Sequence, residues 1–175
     1  MYKRQKIKNV DQIIENISNL KNPKGRFDLI NFKTNKIIVD YAHTPESISQ
    51  VIKYVNPYFS KVVVLFGAGG NRDKEKRKLM GTASQLADSV IVTNDNPRNE
   101  DPIQISNDIL KGCDLSKTTV ILDRKEAITS AINELKENSV LLVLGKGHEM
   151  YQEINNSHIP FNDNDFINET IGGLI

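Results

Sequence analysis

The stretch KVVVLFGAGGNRDKEKRKLMGTASQLADSVIVT, residues 61–93, decides the fold because two apolar blocks enclose one amphipathic segment. KVVVLF (61–66) and SVIVT (89–93) are continuous and rich in β-branched residues, which is typical of strands covered on both faces. Between the blocks, apolar residues recur with helical spacing at Leu79, Met80, Ala83, Leu86 and Ala87. The stretch therefore predicts a strand, a helix and a second, parallel strand.

The same alternation extends from this unit in both directions. Further apolar blocks are KIIVD (36–40), TTVIL (118–122) and VLLVLG (140–145), and the amphipathic stretches are 45–56, 73–87, 102–112 and 124–137. Continuous blocks separated by helices predict an α/β fold with one mainly parallel sheet and helices on both of its faces. The crossovers are expected to be right-handed.

At the two ends of the chain the pattern changes. MYQEI and SHIPF flank the turn-rich NNS, which predicts a hairpin near 151–160 that adds an antiparallel edge. DNDFINETIGGL then predicts a last helix, capped by Asp163 or Asn164. Residues 10–20 predict a short helix, and KNPKGR (21–26) predicts a linker.

Composition narrows the class of protein. The chain has 175 residues, of which 38% are hydrophobic and 26% charged, as expected of one globular domain with a short appendage. A formal net charge of +1 argues against a nucleic-acid partner. Cys113 is the only cysteine, so the chain cannot form an internal disulfide or a cysteine-based metal site. The sequence shows neither a signal-peptide core nor an apolar run approaching ~18 residues, which predicts a cytoplasmic protein without a membrane partner.

The unusual side chains collect directly after the apolar blocks. The segments that follow the five predicted strands are DYAHTPES (40–47), GAGGNRDKEKR (67–77), NDNPRNEDP (94–102), DRKEA (123–127) and GKGHEMY (145–151). Because ligands of open parallel sheets bind beyond the carboxyl ends of the strands, these segments predict a site at that edge. Arginines, histidines, aspartates and paired glycines are concentrated there.

Two glycine-containing segments have competing interpretations. GAGGNRD could cradle an anion, or it could be a tight turn into a helix capped by Asn71 or Asp73. Its glycines miss the GxGxxG spacing of dinucleotide-binding proteins. GKGH is not a P-loop, which needs GxxxxGK[ST], and that motif is absent from the sequence.

Other segments favour a structural role when each is taken alone. His43 is read as a core or capping histidine. DRKEA predicts a helix start, with Asp123 as the N-cap and Glu126 completing a capping box. A solvated helix face is predicted for Lys74, Lys76, Arg77 and Lys78.

Taken together, six segments resemble the C-terminal domain of the Mur ligases. GRFDLI, VDYAHTPES, FGAGGNRDKEKRKLMG, ADSVIVTNDNPRNEDP, DRKEAI and GKGHE occur in this order across about residues 20–168. The resemblance implies a Rossmann-like domain that binds the incoming amino acid. It also divides the chain into residues 1–26, the tail and hinge of a central ATPase domain, and residues 27–175, the C-terminal domain.

The resemblance implies an ATP-dependent amide ligase of peptidoglycan synthesis, in which an acyl phosphate is attacked by the amine of meso-diaminopimelate. The other substrate would be UDP-N-acetylmuramoyl-L-alanyl-D-glutamate. The family's P-loop, carbamylated lysine and Mg²⁺ ligands belong to the central domain, so this chain is expected to hold no catalytic residue and no metal ligand. It is expected to be inactive without the N-terminal and central domains. The alternatives are a non-catalytic module that binds an amino acid or nucleotide, and a remnant without a ligand.

The resemblance also assigns residues to the amino acid. The DNPR motif, here Asp95, Asn96, Pro97 and Arg98, marks members that select meso-diaminopimelate, and members that add lysine differ there. A guanidinium can clamp the distal carboxylate, which lysine lacks. Arg72 resembles a second arginine that contacts the amino acid, and Gly145 and Glu149 resemble the carbonyl and carboxylate that receive the distal ammonium.

A second group of residues is assigned to the nucleotide. Arg26 resembles a hinge arginine that approaches the ATP phosphates. Asp40, Tyr41 and His43 resemble the loop that covers the nucleotide when the domains close. The sequence departs from the family at Asn71, which stands where GGDRD usually has an aspartate.

Overall fold

A six-stranded sheet organises the protein, whose computed structural model describes residues 23–174; the predictions for residues 1–22 lie outside this range. The strand order is β1-β2-β6-β3-β4-β5, with β1 antiparallel to β2 and all other neighbours parallel. The strands are β1 (Asp28–Phe32), β2 (Asn35–Asp40), β3 (Lys61–Phe66), β4 (Ser89–Val92), β5 (Thr118–Val120) and β6 (Ser139–Leu144). The five apolar blocks therefore form one mainly parallel sheet, as predicted.

The antiparallel parts of the structure differ in detail from the prediction. The hairpin of β7 (Tyr151–Ile154) and β8 (Ser157–Pro160) is present as predicted, but it forms a separate two-stranded sheet. Its turn residues Asn155 and Asn156 both have positive φ, 48° and 61°, the conformation that two-residue hairpin turns require. The antiparallel edge of the main sheet is β1, which the sequence analysis did not identify as a strand.

Within residues 23–174, five α-helices connect or cover the strands. They are α1 (Pro45–Val55), α2 (Glu75–Ser84), α3 (Pro102–Leu110), α4 (Arg124–Asn133) and α5 (Asp163–Gly172). Asp123 caps α4 as predicted, whereas α5 is capped by Asn162 instead of Asp163 or Asn164. At the start of α2, Lys74 occupies the N-cap position without a capping bond from its side chain, whereas the side chain of the predicted Asp73 accepts a hydrogen bond from the first helical amide, that of Glu75, at 3.0 Å.

The two faces of the sheet carry separate cores. Along β3, Val62, Val64 and Phe66 pack with α1, α2 and α3, while Val63 and Leu65 pack with α4 and α5. The chain leaves β3 towards the first face and leaves β6, its neighbour, towards the second. Connections that diverge in this way open a crevice at the carboxyl ends of the two strands, where ligands of α/β proteins bind.

Within the part of the chain that the structure describes, no helix combines the length and apolarity needed to span a bilayer.

Candidate functional site

A cleft of about 380 Å³ opens at the carboxyl edge of the sheet, around the ends of β3 and β6. Its lining residues come from the segments after β2, β3, β4 and β6, and from α2. They are Tyr41, His43, Thr44, Gly67, Ala68, Gly69, Arg72, Asp73, Lys76, Arg77, Met80, Asp95, Asn96, Arg98, Gly145 and Glu149. The cleft thus brings together all the predicted amino-acid-binding residues except Pro97, and two of the four predicted nucleotide-binding residues.

Asn96 and Pro97 organise the loop after β4. The Asn96 carbonyl accepts a hydrogen bond from the Gly70 amide at 2.8 Å, and its side-chain Nδ2 donates to Glu149 Oε2 at 2.8 Å. Pro97 is buried and lies so close to Gly70 that a Cβ there would approach the Pro97 carbonyl to 1.9 Å. Only glycine fits at position 70, because any side chain would collide with the Pro97 carbonyl. This close contact joins the loops after β3 and β4.

Arg98 lies in the cleft with its backbone in the left-handed region, at φ 53°. Two main-chain hydrogen bonds to the hairpin hold it there, from the Arg98 amide to the Glu153 carbonyl and from the Asn155 amide to the Arg98 carbonyl. Its Nη1 donates to the Gly70 carbonyl at 2.7 Å, and its Nε lies 2.9 Å from Glu153 Oε2. The guanidinium is therefore fixed by two neighbours while remaining accessible from the cleft.

Lys146, the lysine of GKGH, is a buried residue that the sequence analysis left without a role. Its ammonium donates to Asn96 Oδ1 at 3.1 Å, to Glu149 Oε2 at 2.9 Å and to the Tyr151 carbonyl at 2.6 Å. All three protons of the ammonium are thus used, which is the condition for burying a charge at low cost. Lys146 ties the loop after β4 to the segment after β6.

Glu149 and Asp95 provide two carboxyl groups of different character. Burial alone would raise the pKa of Glu149, but the hydrogen bonds from Lys146 and Asn96 outweigh burial and hold this pKa below its usual value. Burial raises the pKa of Asp95, against the opposing attraction of Arg124 and Lys146. Glu149 is therefore ionised at neutral pH.

Gly145 lies beside these groups with a φ of 109°. A Cβ at this position would come within 2.6 Å of Asp95 Oδ2, so the close approach of the two loops requires glycine. The Gly145 amide donates to the Asp40 carbonyl at 3.1 Å. Among residues 23–174, no donor is bonded to the Gly145 carbonyl, which leaves it available to a ligand ammonium.

The lowered pKa of Glu149 predicts how stability depends on pH. A carboxyl whose pKa is depressed by folding stabilises the protein above its unfolded pKa of about 4.3 and loses this contribution as pH falls through the folded pKa. We expect Glu149→Gln to be less stable than wild type at neutral pH, with the difference shrinking below about pH 4.3. Urea unfolding across this range measures the difference, with the exposed Glu137→Gln as the control. A difference that grew on acidification would contradict the prediction.

Arg77 supports the glycine-rich loop after β3 through a buried side chain. The prediction that Arg77 belongs to a solvated helix face is therefore wrong. Its side chain is 1% exposed and pairs with both Glu100 oxygens, at 2.9 and 3.0 Å, and with Asp108 at 3.2 Å. Glu100 also accepts a hydrogen bond from the Asn71 amide at 2.5 Å. The loop that carries the exposed Arg72 is therefore held in place by a buried ion pair. The sequence did offer a sign that Arg77 is buried: it precedes the apolar Met80 by three residues, a spacing that places both on the same, inner face of α2.

Of the four predicted nucleotide-binding residues, Tyr41 and His43 line the cleft, and Arg26 and Asp40 do not. The Tyr41 ring lies 4.7 Å from the His43 ring and 5.4 Å from the His148 ring, measured between centroids. The Arg26 guanidinium lies 4.7 Å from the centroid of Tyr41. Asp40 points elsewhere: its carboxylate accepts from the Phe27 and Ala42 amides, both at 2.8 Å, and so fixes the chain around β2.

Across residues 23–174, no group of three or more His, Cys, Asp or Glu side chains is placed to hold a metal ion.

The fold and the cleft define an α/β ligand-binding domain whose site lies where adjacent strands send their connections to opposite faces. The cleft combines the guanidinium groups of Arg72 and Arg98 with the Glu149 carboxylate. The chain belongs to the Mur ligase family, since the family model described as "Mur ligase, glutamate ligase domain" matches residues 25–147.

Two relatives and one solved structure illustrate the similarity. The UDP-N-acetylmuramoyl-L-alanyl-D-glutamate--2,6-diaminopimelate ligase of Rickettsia montanensis is 45% identical over 165 residues, 92% of this chain and 34% of the relative. The ligase of the same name from Aquifex aeolicus (strain VF5) is 43% identical over 155 residues, 87% of this chain and 32% of the relative. A solved structure of a ligase with this name has a TM-score of 0.83 and 37% identity, covering 93% of this chain and 34% of that one. The chain therefore spans about a third of the length of these relatives.

Proposed function

We propose that this chain is the amino-acid-binding C-terminal domain of an ATP-dependent amide ligase of the cytoplasm. The ligase would add meso-diaminopimelate to UDP-N-acetylmuramoyl-L-alanyl-D-glutamate in peptidoglycan synthesis. The names of the relatives support this activity, and membership of the Mur ligase family supports the place of the domain in a longer enzyme.

One observation supports meso-diaminopimelate as the amino acid: guanidinium groups and acceptors for an ammonium lie in the same cleft. Arg98 and Arg72 offer cations to carboxylates, and Glu149, ionised at neutral pH, offers an anion to an ammonium. The Gly145 carbonyl adds a neutral acceptor. Meso-diaminopimelate carries an ammonium and a carboxylate at each end, so its distal end needs one partner of each kind.

Among residues 23–174, the group formed by Tyr41, His43 and Arg26 would contribute to nucleotide binding. Tyr41 and His43 offer aromatic surfaces, and Arg26 offers a cation next to them. When bound with Mg²⁺ by the other domains of the ligase, ATP supplies the phosphoryl group that activates the dipeptide carboxyl. The residues described above bind and orient the attacking amino acid.

The test uses the chain by itself and in combination with its partner domains. We expect calorimetric titration to show binding of meso-diaminopimelate that is tighter than binding of lysine, and no amino-acid-dependent phosphate release from ATP. Phosphoryl transfer relies on phosphate positioning and metal charge, and the P-loop that provides them is absent from this sequence. Adding the N-terminal and central domains of a relative should restore ligation. Binding without any restored ligation would favour the non-catalytic module, and phosphate release by the chain alone would contradict the proposal.

A further inference from the structure

Glu153, on β7, is the acidic partner of Arg98. Its Oε2 lies 2.9 Å from Arg98 Nε, and the exposed fractions of the two side chains are 26% and 21%. Glu153 does not line the cleft, whereas Arg98 does. The carboxylate therefore approaches the guanidinium without blocking its access to a ligand.

The backbone of Glu153 is anchored independently of its side chain. Its amide donates to Asn96 Oδ1 at 2.9 Å, and its carbonyl accepts from the Arg98 amide at 2.9 Å. Because both bonds are made by main-chain atoms of Glu153, a substitution at this position leaves the hairpin attached to the loop after β4. The side chain can thus be changed without removing the contacts that hold the strand in place.

Two groups contact the Arg98 guanidinium: the Gly70 carbonyl accepts a hydrogen bond from it, and the Glu153 carboxylate forms an ion pair with it. The Gly70 carbonyl holds Nη1 and Glu153 lies against Nε, while Nη2 has no acceptor within residues 23–174. The backbone of Gly69 also lies close to the guanidinium, since a Cβ built there would come within 2.9 Å of Nη1. A side chain fixed in this way loses little rotamer freedom when a ligand binds, and preorganisation of this kind raises affinity.

We propose that Glu153 is a positioning residue that orients Arg98 and thereby contributes to the selection of meso-diaminopimelate. The inference rests on the proposed function, because it assigns the distal carboxylate to Arg98. The oxygen of residue 153 against Nε is the feature that matters. Glutamine retains such an oxygen and also removes a negative charge near the ligand carboxylate, whereas alanine removes the oxygen.

The binding experiment compares wild type, Glu153→Ala and Glu153→Gln by calorimetric titration with meso-diaminopimelate and with lysine. We expect Glu153→Ala to bind meso-diaminopimelate about 3- to 10-fold more weakly, the range that corresponds to loss of one immobilised side chain, with lysine binding unchanged. Glu153→Gln should bind meso-diaminopimelate at least as tightly as wild type. Unchanged or tighter binding by the alanine variant would overturn the proposal, as would a glutamine variant as weak as the alanine variant.

A second measurement needs no ligand and separates this inference from the proposed function. Relaxation of the Arg98 Nε–H group reports how rigid the guanidinium is on the ps–ns timescale, and Arg98→Lys assigns its resonance. We expect a rigid group in wild type and Glu153→Gln and a mobile one in Glu153→Ala. Equal rigidity in all three would overturn the positioning role. If wild type fails to prefer meso-diaminopimelate while the rigidity pattern holds, the proposed function fails and the positioning role stands.

Discussion

Replacing Arg98 by alanine should lower affinity for meso-diaminopimelate about 10- to 30-fold and leave affinity for lysine nearly unchanged. The two amino acids differ only in a distal carboxylate, so selection needs a group that gains a contact when this carboxylate is present. A hydrogen bond from a charged donor contributes about 1.5–3 kcal/mol. We expect the lower part of this range because the Arg98 side chain is 21% exposed.

Selection should arise from this gain and not from a penalty against lysine. With lysine in the cleft, Arg98 would still donate to the Gly70 carbonyl and lie beside Glu153. Arg98 does not pair with the neighbouring acidic residues Glu100 and Asp101, because Glu100 pairs with Arg77 and Asp101 caps α3. Arg98 therefore has its charge compensated whichever ligand is bound.

The measurement is a calorimetric titration of wild type and variants with both amino acids. Arg98→Lys should lose most of the preference as well, because an ammonium lacks the planar fork of a guanidinium. Lys78→Ala is the matched control, since Lys78 is an exposed cation of α2 that does not line the cleft. An equal loss for both ligands, or no loss for either, would reject Arg98 as the selectivity residue.

Replacing Arg124 by methionine should destabilise the protein by about 3–5 kcal/mol, the cost of breaking a buried ion pair from one side. Arg124 and Asp163 have fully buried side chains, and two contacts of 2.8 Å join the guanidinium to the carboxylate. Arg124 also donates to the carbonyls of Asn94 and Leu144, at the ends of β4 and β6. Methionine would leave a buried carboxylate and two carbonyls without this donor.

Urea unfolding measures this loss, and the chain offers two controls. The double variant Arg124→Met/Asp163→Leu should recover much of the stability, because it removes the unpaired charge along with its partner. Lys136→Met replaces an exposed cation and should change the free energy of unfolding by less than about 0.5 kcal/mol. An Arg124→Met variant within about 1 kcal/mol of wild type would show that the pair does not stabilise the fold.

The sheet could be predicted from sequence because its central strands are buried on both faces. Such strands are continuous apolar blocks, and β6 is the clearest, with every residue from Ser139 to Leu144 buried. Strand β1 was missed because it lies at an edge and is short: its first four residues alternate between half-buried and exposed, and only Phe32 is buried. Its antiparallel partner β2 was predicted, but no local feature of DLINF distinguishes this strand from the linker before it.

The cleft could be predicted in outline because its residues follow the strands directly. The contacts that hold those residues were harder to predict, because their partners are distant in sequence. Arg98 meets Glu153, and Arg124 meets Asp163 across 39 positions. The burial of Arg124 could have been predicted from the sequence, because helical spacing places it on the inner face of α4 with Ala127, Ile128 and Ala131. The burial of Lys146 could not, because nothing in GKGH distinguishes a buried ammonium from a solvated one.

The position of β6 bears on how the chain acquires its structure during synthesis. This strand lies between β2 and β3, and it is the last of the six strands to be made. Until Leu144 has left the ribosome, β1 and β2 can pair only with each other, and β3, β4 and β5 form a separate group with unpaired edges. Contacts between segments so far apart close slowly and expose strand edges in the meantime. The edges of the two halves therefore stay unpaired in the nascent domain until the central strand joins them.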